Sequence, residues 1–374
     1  MPSWLKEGRG SLCGANVSLL LREMGITKPL LVAGERTKNV FFARTGMRLP
    51  VFDAFHPNPD LQDCVAGAAL YQEKGCDGLI SIGGGSAMDT AKGIKALLMT
   101  DIAHVRANQL PSEGNVPHLA IPGTAGTGAE TTAVAVLYED GQKLSVDHPA
   151  LLPDGVLLDG SLLDTLPEYH RKSCAMDALA QGIESWWAKK ATPGSRIHAE
   201  RAIRGVLDNL TAYLQGDRKA QDEMLHAAYE SGVAILTTRT TAAHAMSYQI
   251  TKKLGAAHGH ACMLTLPHLW AHLAAQAEYQ PMLTELSRIL GGEKPMDGAI
   301  LLKGLLAVLE LDKIPMPDDA TLDMLAASVN PERLGNHPEA LTTAQLRAIY
   351  VQAFTPMTDT ERAEAIAAWE QYGK

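Results

Sequence analysis

Up to about residue 160, short apolar runs bounded by Gly or Pro alternate with segments of helical spacing. The runs are Leu30-Leu31-Val32-Ala33, Leu79-Ile80-Ser81-Ile82, His118-Leu119-Ala120-Ile121 and Gly155-Val156-Leu157-Leu158. Continuous apolar runs predict strands buried on both faces, and their alternation with helices predicts a parallel α/β sheet. After about residue 165 the pattern becomes helical throughout, as in Ile203, Val206, Leu207, Leu210 and Leu214. The expectation is two domains, an α/β unit over 1–164 and an all-α unit over 165–374, with Leu166-Pro167 as the stop between them. A chain of 374 residues fits that division. No internal repeat or low-complexity tract is visible.

Composition narrows the partners. At 46% hydrophobic and 20% charged the chain is an ordinary globular sequence, neither disordered nor coiled coil. With 33 Lys and Arg against 42 Asp and Glu the net charge is −9, and no basic run is present to neutralise phosphates, so nucleic acid is not expected as a partner. The first residues carry no apolar stretch long enough for a signal peptide. No run approaches the roughly 20 apolar residues of a membrane span. The expectation is a soluble, cytoplasmic protein without membrane contact. Its five cysteines (Cys13, Cys64, Cys76, Cys174, Cys262) form no C-x-x-C pair and are expected to be reduced, structural thiols.

Two glycine-rich turns carry the first candidate chemistry. Run 79–82 leads into Gly83-Gly84-Gly85-Ser86-Ala87-Met88-Asp89-Thr90-Ala91-Lys92, where the sequence turns helical. Glycines let the backbone approach a ligand, and the N–H groups of a new helix hold pyrophosphate against its positive end. Run 118–121 leads likewise into Pro122-Gly123-Thr124-Ala125-Gly126-Thr127-Gly128-Ala129-Glu130. Two such turns in one sheet suggest a dinucleotide, bound where ligands of parallel sheets bind, at the carboxyl ends of strands. Ligand-free tight turns are the plain alternative. Neither turn fits G-x-G-x-x-G or the phosphate loop G-x-x-x-x-G-K-[ST]. Gly8, Gly10 and Gly14 come near the former at the wrong spacing, with no strand expected before them.

The second candidate is a cluster of imidazoles. His244, His258, His260, His268 and His272, five of the 13 histidines, fall within 29 residues. Imidazole is a common ligand of borderline divalent metals. Upstream, Asp177 and Gln181 lie four apart, on one face of an expected helix. Core histidines, a helix-capping Asp177 and a solvated Gln181 would explain the same residues without a metal.

GGGSAMDTAK, PGTAGTGAE, MDALAQGIES and HAMSYQITKKLGAAHGHA, in this order, resemble the iron-containing (group III) alcohol dehydrogenase family. The resemblance covers most of the chain and thins after about residue 290. It implies a Rossmann-like dinucleotide-binding domain followed by a helical domain, in a dehydroquinate synthase-like architecture with a divalent metal, Fe2+ or Zn2+, in the cleft between them. It places metal ligands on Asp177, His244 and His258, and on Gln181 where the family usually has His. It places cofactor contacts on Gly84, Gly85, Ser86, Asp89, Thr124 and Thr127, with Asn58 and Lys143 nearby. Gly123 stands where a threonine is common. Tyr248 stands where many members carry a second His, with a proton-relay role or simple packing as the alternatives.

Cofactor choice has a physical basis. An acid at the end of the first strand binds the ribose 2′-OH of NAD and repels a 2′-phosphate. Here Gly34 occupies the place where NAD-preferring relatives often have Asp, followed by Glu35 and Arg36. NADPH is expected, with NADH as the alternative.

Within the family the combination of Gln181 and Tyr248 is most similar to the phosphonoacetaldehyde reductases. Arg239 stands where that subgroup usually has Lys. A guanidinium grips phosphonate or sulfonate through two N–H bonds, and Lys252 and Lys253 would add to the field. His260 of the His-Gly-His turn is a candidate pocket residue. The resemblance implies a homodimer that reduces a small anionic aldehyde. Sulfoacetaldehyde or a neutral aldehyde, a lyase of the dehydroquinate synthase type, and an inactive binder remain alternatives.

Overall fold

In the computed structural model, residues 6–112 and 116–372 are described. Eight strands are present among them: β1 (Lys6–Arg9), β2 (Pro29–Ala33), β3 (Val51–Phe52), β4 (Gly78–Gly83), β5 (His118–Pro122), β6 (Val134–Glu139), β7 (Gln142–Asp147) and β8 (Gly155–Leu158). The chain divides into two compact units, residues 1–165 and 166–374.

In the first unit a parallel sheet has the order β1-β8-β5-β4-β2-β3. The four expected runs are its central strands. Their apolar residues divide by strict alternation: Leu30, Val32 and Leu79 pack into one core with Leu61 and Ile94, while Leu31, Ala33, Ile80 and Ile82 pack into another with Val17 and Phe41. A strand covered on both faces needs no polar positions, which is why these runs read as continuous.

The edges of the sheet differ from expectation. β1 and β3 are too short to show a pattern, and Gly8 lies inside β1, opposite Leu157, so a strand does underlie the first glycine cluster. β6 and β7 form a separate antiparallel hairpin closed by Asp140 and Gly141, both at positive φ, as a two-residue turn of this kind requires.

The second unit is helical. A buried helix, Glu168–Trp187, packs against Pro193–Leu214, Arg218–Thr238 and His258–Ala274. The periodic residues Ile203, Val206, Leu207 and Leu210 are the buried stripe of Pro193–Leu214. The short helix Ala242–Gln249 continues into one π-helical turn, Ile250–Leu254. No helix among the described residues is long and apolar enough to cross a membrane.

Candidate functional site

In the α/β unit the glycine turns follow β4 and β5, which are adjacent, so they meet at the carboxyl end of the sheet. Their glycines bring them into contact. A Cβ on Gly84 would lie 3.3 Å from Thr124 Cγ2, one on Gly85 3.4 Å from Thr127 Cγ2, and one on Gly123 3.3 Å from the Cα of Gly83. The Gly123 N–H bonds the Gly83 carbonyl at 2.7 Å. The first turn opens helix Gly85–Met99, whereas the second leads only to a 3-10 turn, Ala129–Thr131.

Asn58, at φ 57°, donates its backbone N–H to Ser86 Oγ at 3.2 Å, which brings the 56–60 loop to the first turn. Lys92, fully buried, donates to the carbonyls of Ala129 and Val134 and to Thr132 Oγ1, tying helix Gly85–Met99 to the second turn. Burial pushes Asp89 up, and Lys92 and Lys143 oppose that. Gly34 caps the helix after β2, and the Glu35 carboxylate is held by Lys38 at 2.5 Å and Asn39 at 3.1 Å.

In the helical unit a second constellation forms. Asp177 and Gln181 project from the buried length of helix Glu168–Trp187, one turn apart. Asp177 Oδ1 accepts from Gln181 Nε2 at 3.1 Å and lies 3.2 Å from His244 Nε2 and 4.0 Å from His258 Nε2. The other nitrogen of each imidazole is engaged. His244 Nδ1 bonds Glu184 Oε2. His258 Nδ1 lies 3.3 Å from Ser247 Oγ, whose own hydrogen goes to the His244 carbonyl at 2.8 Å. Ser247 therefore accepts from His258 Nδ1, and in both imidazoles Nε2 is the nitrogen that faces Asp177.

The approach of the two helices depends on Gly259. A Cβ there would overlap the Ser173 carbonyl and stand 2.6 Å from the Asp177 nitrogen. With hydrogen alone at that position, His258 comes within reach of Asp177 at the first turn of helix His258–Ala274.

Cys262, one turn along that helix, completes the group. Its Sγ is 3.9 Å from His258 Nε2, and donor atoms of Asp177, His244, His258 and Cys262 all lie within 4.8 Å of one another. Tetrahedral zinc would separate N from O by about 3.3 Å and N from S by about 3.5 Å, so a small inward movement fits this set to a divalent ion. Burial pushes the Cys262 thiol up, but His244 and His258 outweigh it and bring it to about 7. Burial likewise opposes charge on His258, while Cys262 and Asp177 raise it to about 9.

Several expectations are corrected. Gln181 lies between Asp177 and Ser231, with its Nε2 3.1 Å from Asp177 Oδ1 and its Oε1 2.8 Å from Ser231 Oγ, whose hydroxyl also reaches the Ala228 carbonyl at 2.8 Å. His260 lies outside the group, because Tyr169 OH, which accepts the Ala257 N–H, takes its Nδ1 and the Leu311 carbonyl takes its Nε2. Burial pushes this imidazole down, against the hydrogen bond to the Leu311 carbonyl. His268 is pushed down to about 4 by burial, and His272 pairs with Glu339 at 2.8 Å. Cys262, expected as a structural thiol, is free and buried, with its sulfur beside His258 Nε2. Tyr248 stacks its ring on His258, with centroids 6.0 Å apart and planes at 9°.

Arg239 closes helix Arg218–Thr238 at φ 62° and ψ 175°, a region populated essentially by glycine and costing about 1–3 kcal/mol. Neighbouring residues hold it there. Asn336 Nδ2 bonds the carbonyls of Thr238 and Thr240, and Arg333 bonds Thr240 Oγ1 at 2.7 Å. The stretch around Asn336 showed no chemistry in sequence, yet it fixes the segment that enters the histidine helix. Lys252 and Lys253 lie exposed on the π-helical turn.

Comparison with known proteins agrees with this layout. The family model "Iron-containing alcohol dehydrogenase" matches residues 3–160, and the C-terminal model of the same family matches 172–354. An NAD-dependent methanol dehydrogenase of Bacillus methanolicus is 30% identical over 299 residues, 75% of this chain and 77% of that one. A phosphonoacetaldehyde reductase of Streptomyces viridochromogenes is 36% identical over 228 residues, 57% of this chain and 58% of that one. The structure of a sulfoacetaldehyde reductase from Bifidobacterium kashiwanohense in complex with NAD+ superposes with a TM-score of 0.85 at 26% identity, covering 95% and 97% of the two chains.

Proposed function

The chain belongs to the iron-containing alcohol dehydrogenase family, and from that premise we propose that it reduces a small anionic aldehyde, phosphonoacetaldehyde first, to the alcohol with NADPH. The observation that carries the substrate reading is Arg239, a cation held in a glycine-like backbone conformation five residues before His244. Strain of that size persists only where neighbouring bonds enforce it, and it clusters at ligand clamps. The relatives reducing phosphonoacetaldehyde and sulfoacetaldehyde support the same substrate class.

In this reading Asp177, His244 and His258 hold a divalent ion and the two glycine turns hold the dinucleotide. When bound, the ion supplies Lewis-acid polarisation of the carbonyl and the reduced nicotinamide supplies hydride. Arg239 grips the oxyanion tail and so orients the aldehyde. The hydroxyl of Tyr248 gives the alcohol oxygen its proton and is re-protonated from solvent. Gln181, with its N–H on Asp177 Oδ1, positions that carboxylate. Gly34 leaves the end of β2 without an acid, and Glu35 is engaged by Lys38 and Asn39, which supports NADPH over NADH.

The test is NADPH oxidation by zinc- or iron-loaded protein with phosphonoacetaldehyde, sulfoacetaldehyde and propionaldehyde, with and without chelator. Chelator-sensitive turnover strongest on phosphonoacetaldehyde is expected. Equal rates on propionaldehyde would remove the oxyanion pocket, and the absence of net NADPH consumption on any aldehyde would remove the reductase.

A further inference from the structure

We propose that Cys262 is a direct ligand of the divalent ion, so that the protein donors are Asp177, His244, His258 and Cys262, with a thiolate doing what the amide at 181 does not. This rests on the metal-site reading above and goes beyond the ligand set expected from the sequence.

The geometry comes first. His258 and Cys262 are four apart on helix His258–Ala274, so their side chains project from one face, one turn apart. Cys262 is fully buried, and its sulfur faces His258 Nε2 at 3.9 Å, the same nitrogen that faces Asp177 Oδ1 at 4.0 Å. That nitrogen is the one turned toward the other donors, because Nδ1 is engaged by Ser247. A nitrogen bordered by a carboxylate oxygen and a sulfur, with His244 Nε2 completing the group within 4.8 Å, describes a four-donor cage.

The competing donor is the second observation. Gln181 Oε1 is within hydrogen-bond distance of Ser231 Oγ, and its N–H is turned toward Asp177. In this orientation amide oxygen reaches an ion beside Asp177 only after the amide turns over, whereas the Cys262 sulfur already faces the site.

Donor chemistry gives the third argument. Asp177 and the Glu184 carboxylate on His244 Nδ1 already offset a divalent cation, so a thiolate adds electron donation to the ion rather than charge balance. Binding is a simple exchange in which Cys262 Sγ–H releases its proton to solvent and sulfur donates its pair to the ion, with no change of oxidation state. Thiolate in the set selects borderline to soft ions, zinc or cobalt, over magnesium or manganese.

The experiment is a cobalt(II) titration of the chelator-stripped full chain. Visible d–d bands report cobalt in the site, and a near-ultraviolet thiolate-to-cobalt charge-transfer band reports sulfur on the metal. Both bands are expected in the wild-type chain, with the charge-transfer band retained in Gln181→Ala and Cys174→Ser and lost in Cys262→Ser. If Cys262→Ser does not fold, X-ray absorption of the wild-type zinc protein reads the same point, with one sulfur scatterer expected in the inner shell and the same scatterer in Cys174→Ser. Visible bands without a charge-transfer band, or a zinc shell without sulfur, would overturn the cysteine ligand and leave the metal site standing. A chain that binds no cobalt or zinc stoichiometrically would overturn the metal-site reading itself.

Discussion

Glu184 and His244 share a fully buried contact in which one carboxylate oxygen takes the imidazole Nδ1. The other oxygen takes the N–H groups of Thr241 and Ala243 and the hydroxyl of Thr241, and so caps helix Ala242–Gln249 from a neighbouring helix. One residue thus sets the tautomer of His244 and holds the first turn that carries it. Burial opposes the charge on Glu184, and His244 and Thr241 keep its carboxyl below the usual range nonetheless.

Glu184→Gln separates the two roles. The amide oxygen must stay on the helix N–H groups, so its NH2 faces Nδ1 and forces the hydrogen onto Nε2, which is aimed at Asp177. The expected result is a folded protein with about 10- to 100-fold weaker zinc binding, read by competition with a chelating dye. Unchanged zinc affinity would show that Glu184 does not set the tautomer.

Gly259→Ala inserts a methyl group into the Ser173 carbonyl. The helices must part, at a cost of about 1–3 kcal/mol, and His258 moves away from Asp177. Lower Tm together with reduced zinc content is expected, whereas Gly25→Ala, with nothing within 4 Å, should leave zinc content unchanged.

Arg239→Gly relieves backbone strain while deleting the guanidinium. Stability should rise by about 1 kcal/mol or more, and KM for an anionic aldehyde should rise strongly with little change for a neutral one. Arg239→Lys should restore most of the anionic KM but none of the stability. A parallel rise in KM for both aldehydes would remove the anchor.

Gly34→Asp places a carboxylate at the end of β2, beside the expected ribose position. The ratio of kcat/KM for NADPH to that for NADH should fall by about tenfold or more, measured on one aldehyde. No change in this ratio would count against NADPH recognition at this strand end.

Glu130 gives a pH signature. It is buried, one of its oxygens has no partner, and burial raises its carboxyl to about 7 against an ordinary 4.5. Its contribution is present below the unfolded value and is lost as pH rises through the folded one, because the unfolded chain ionises first. Glu130→Gln should therefore gain about 2–3 kcal/mol on wild type between about pH 5 and about pH 8, read from urea midpoints. A constant difference across that range would show that Glu130 is ionised in the folded chain.

The central strands β2, β4, β5 and β8 and the glycine turns after two of them were legible in the residues, because a strand covered on both faces must be apolar throughout and Gly is needed where two turns touch. Resemblance to a family singled out Asp177, His244 and His258, which the structure brings together. β1 and β3 were not legible, since strands of this length in a sheet edge carry no period, and the hairpin of β6 and β7 was not among the expected strands. Residue spacing could not rank the clustered histidines either. His260 is engaged by Tyr169 and Leu311, while His258 turns Nε2 toward Asp177 and Cys262 because Ser247 takes its other nitrogen. The i, i+4 pair of His258 and Cys262 was visible in the chain, but whether that sulfur is packed or faces Asp177 and His244 depends on helices that Gly259 alone allows to touch. Sequence determines which donors exist. Which donor atoms face one site is decided by partners distant along the chain, and only the tertiary structure brings those together.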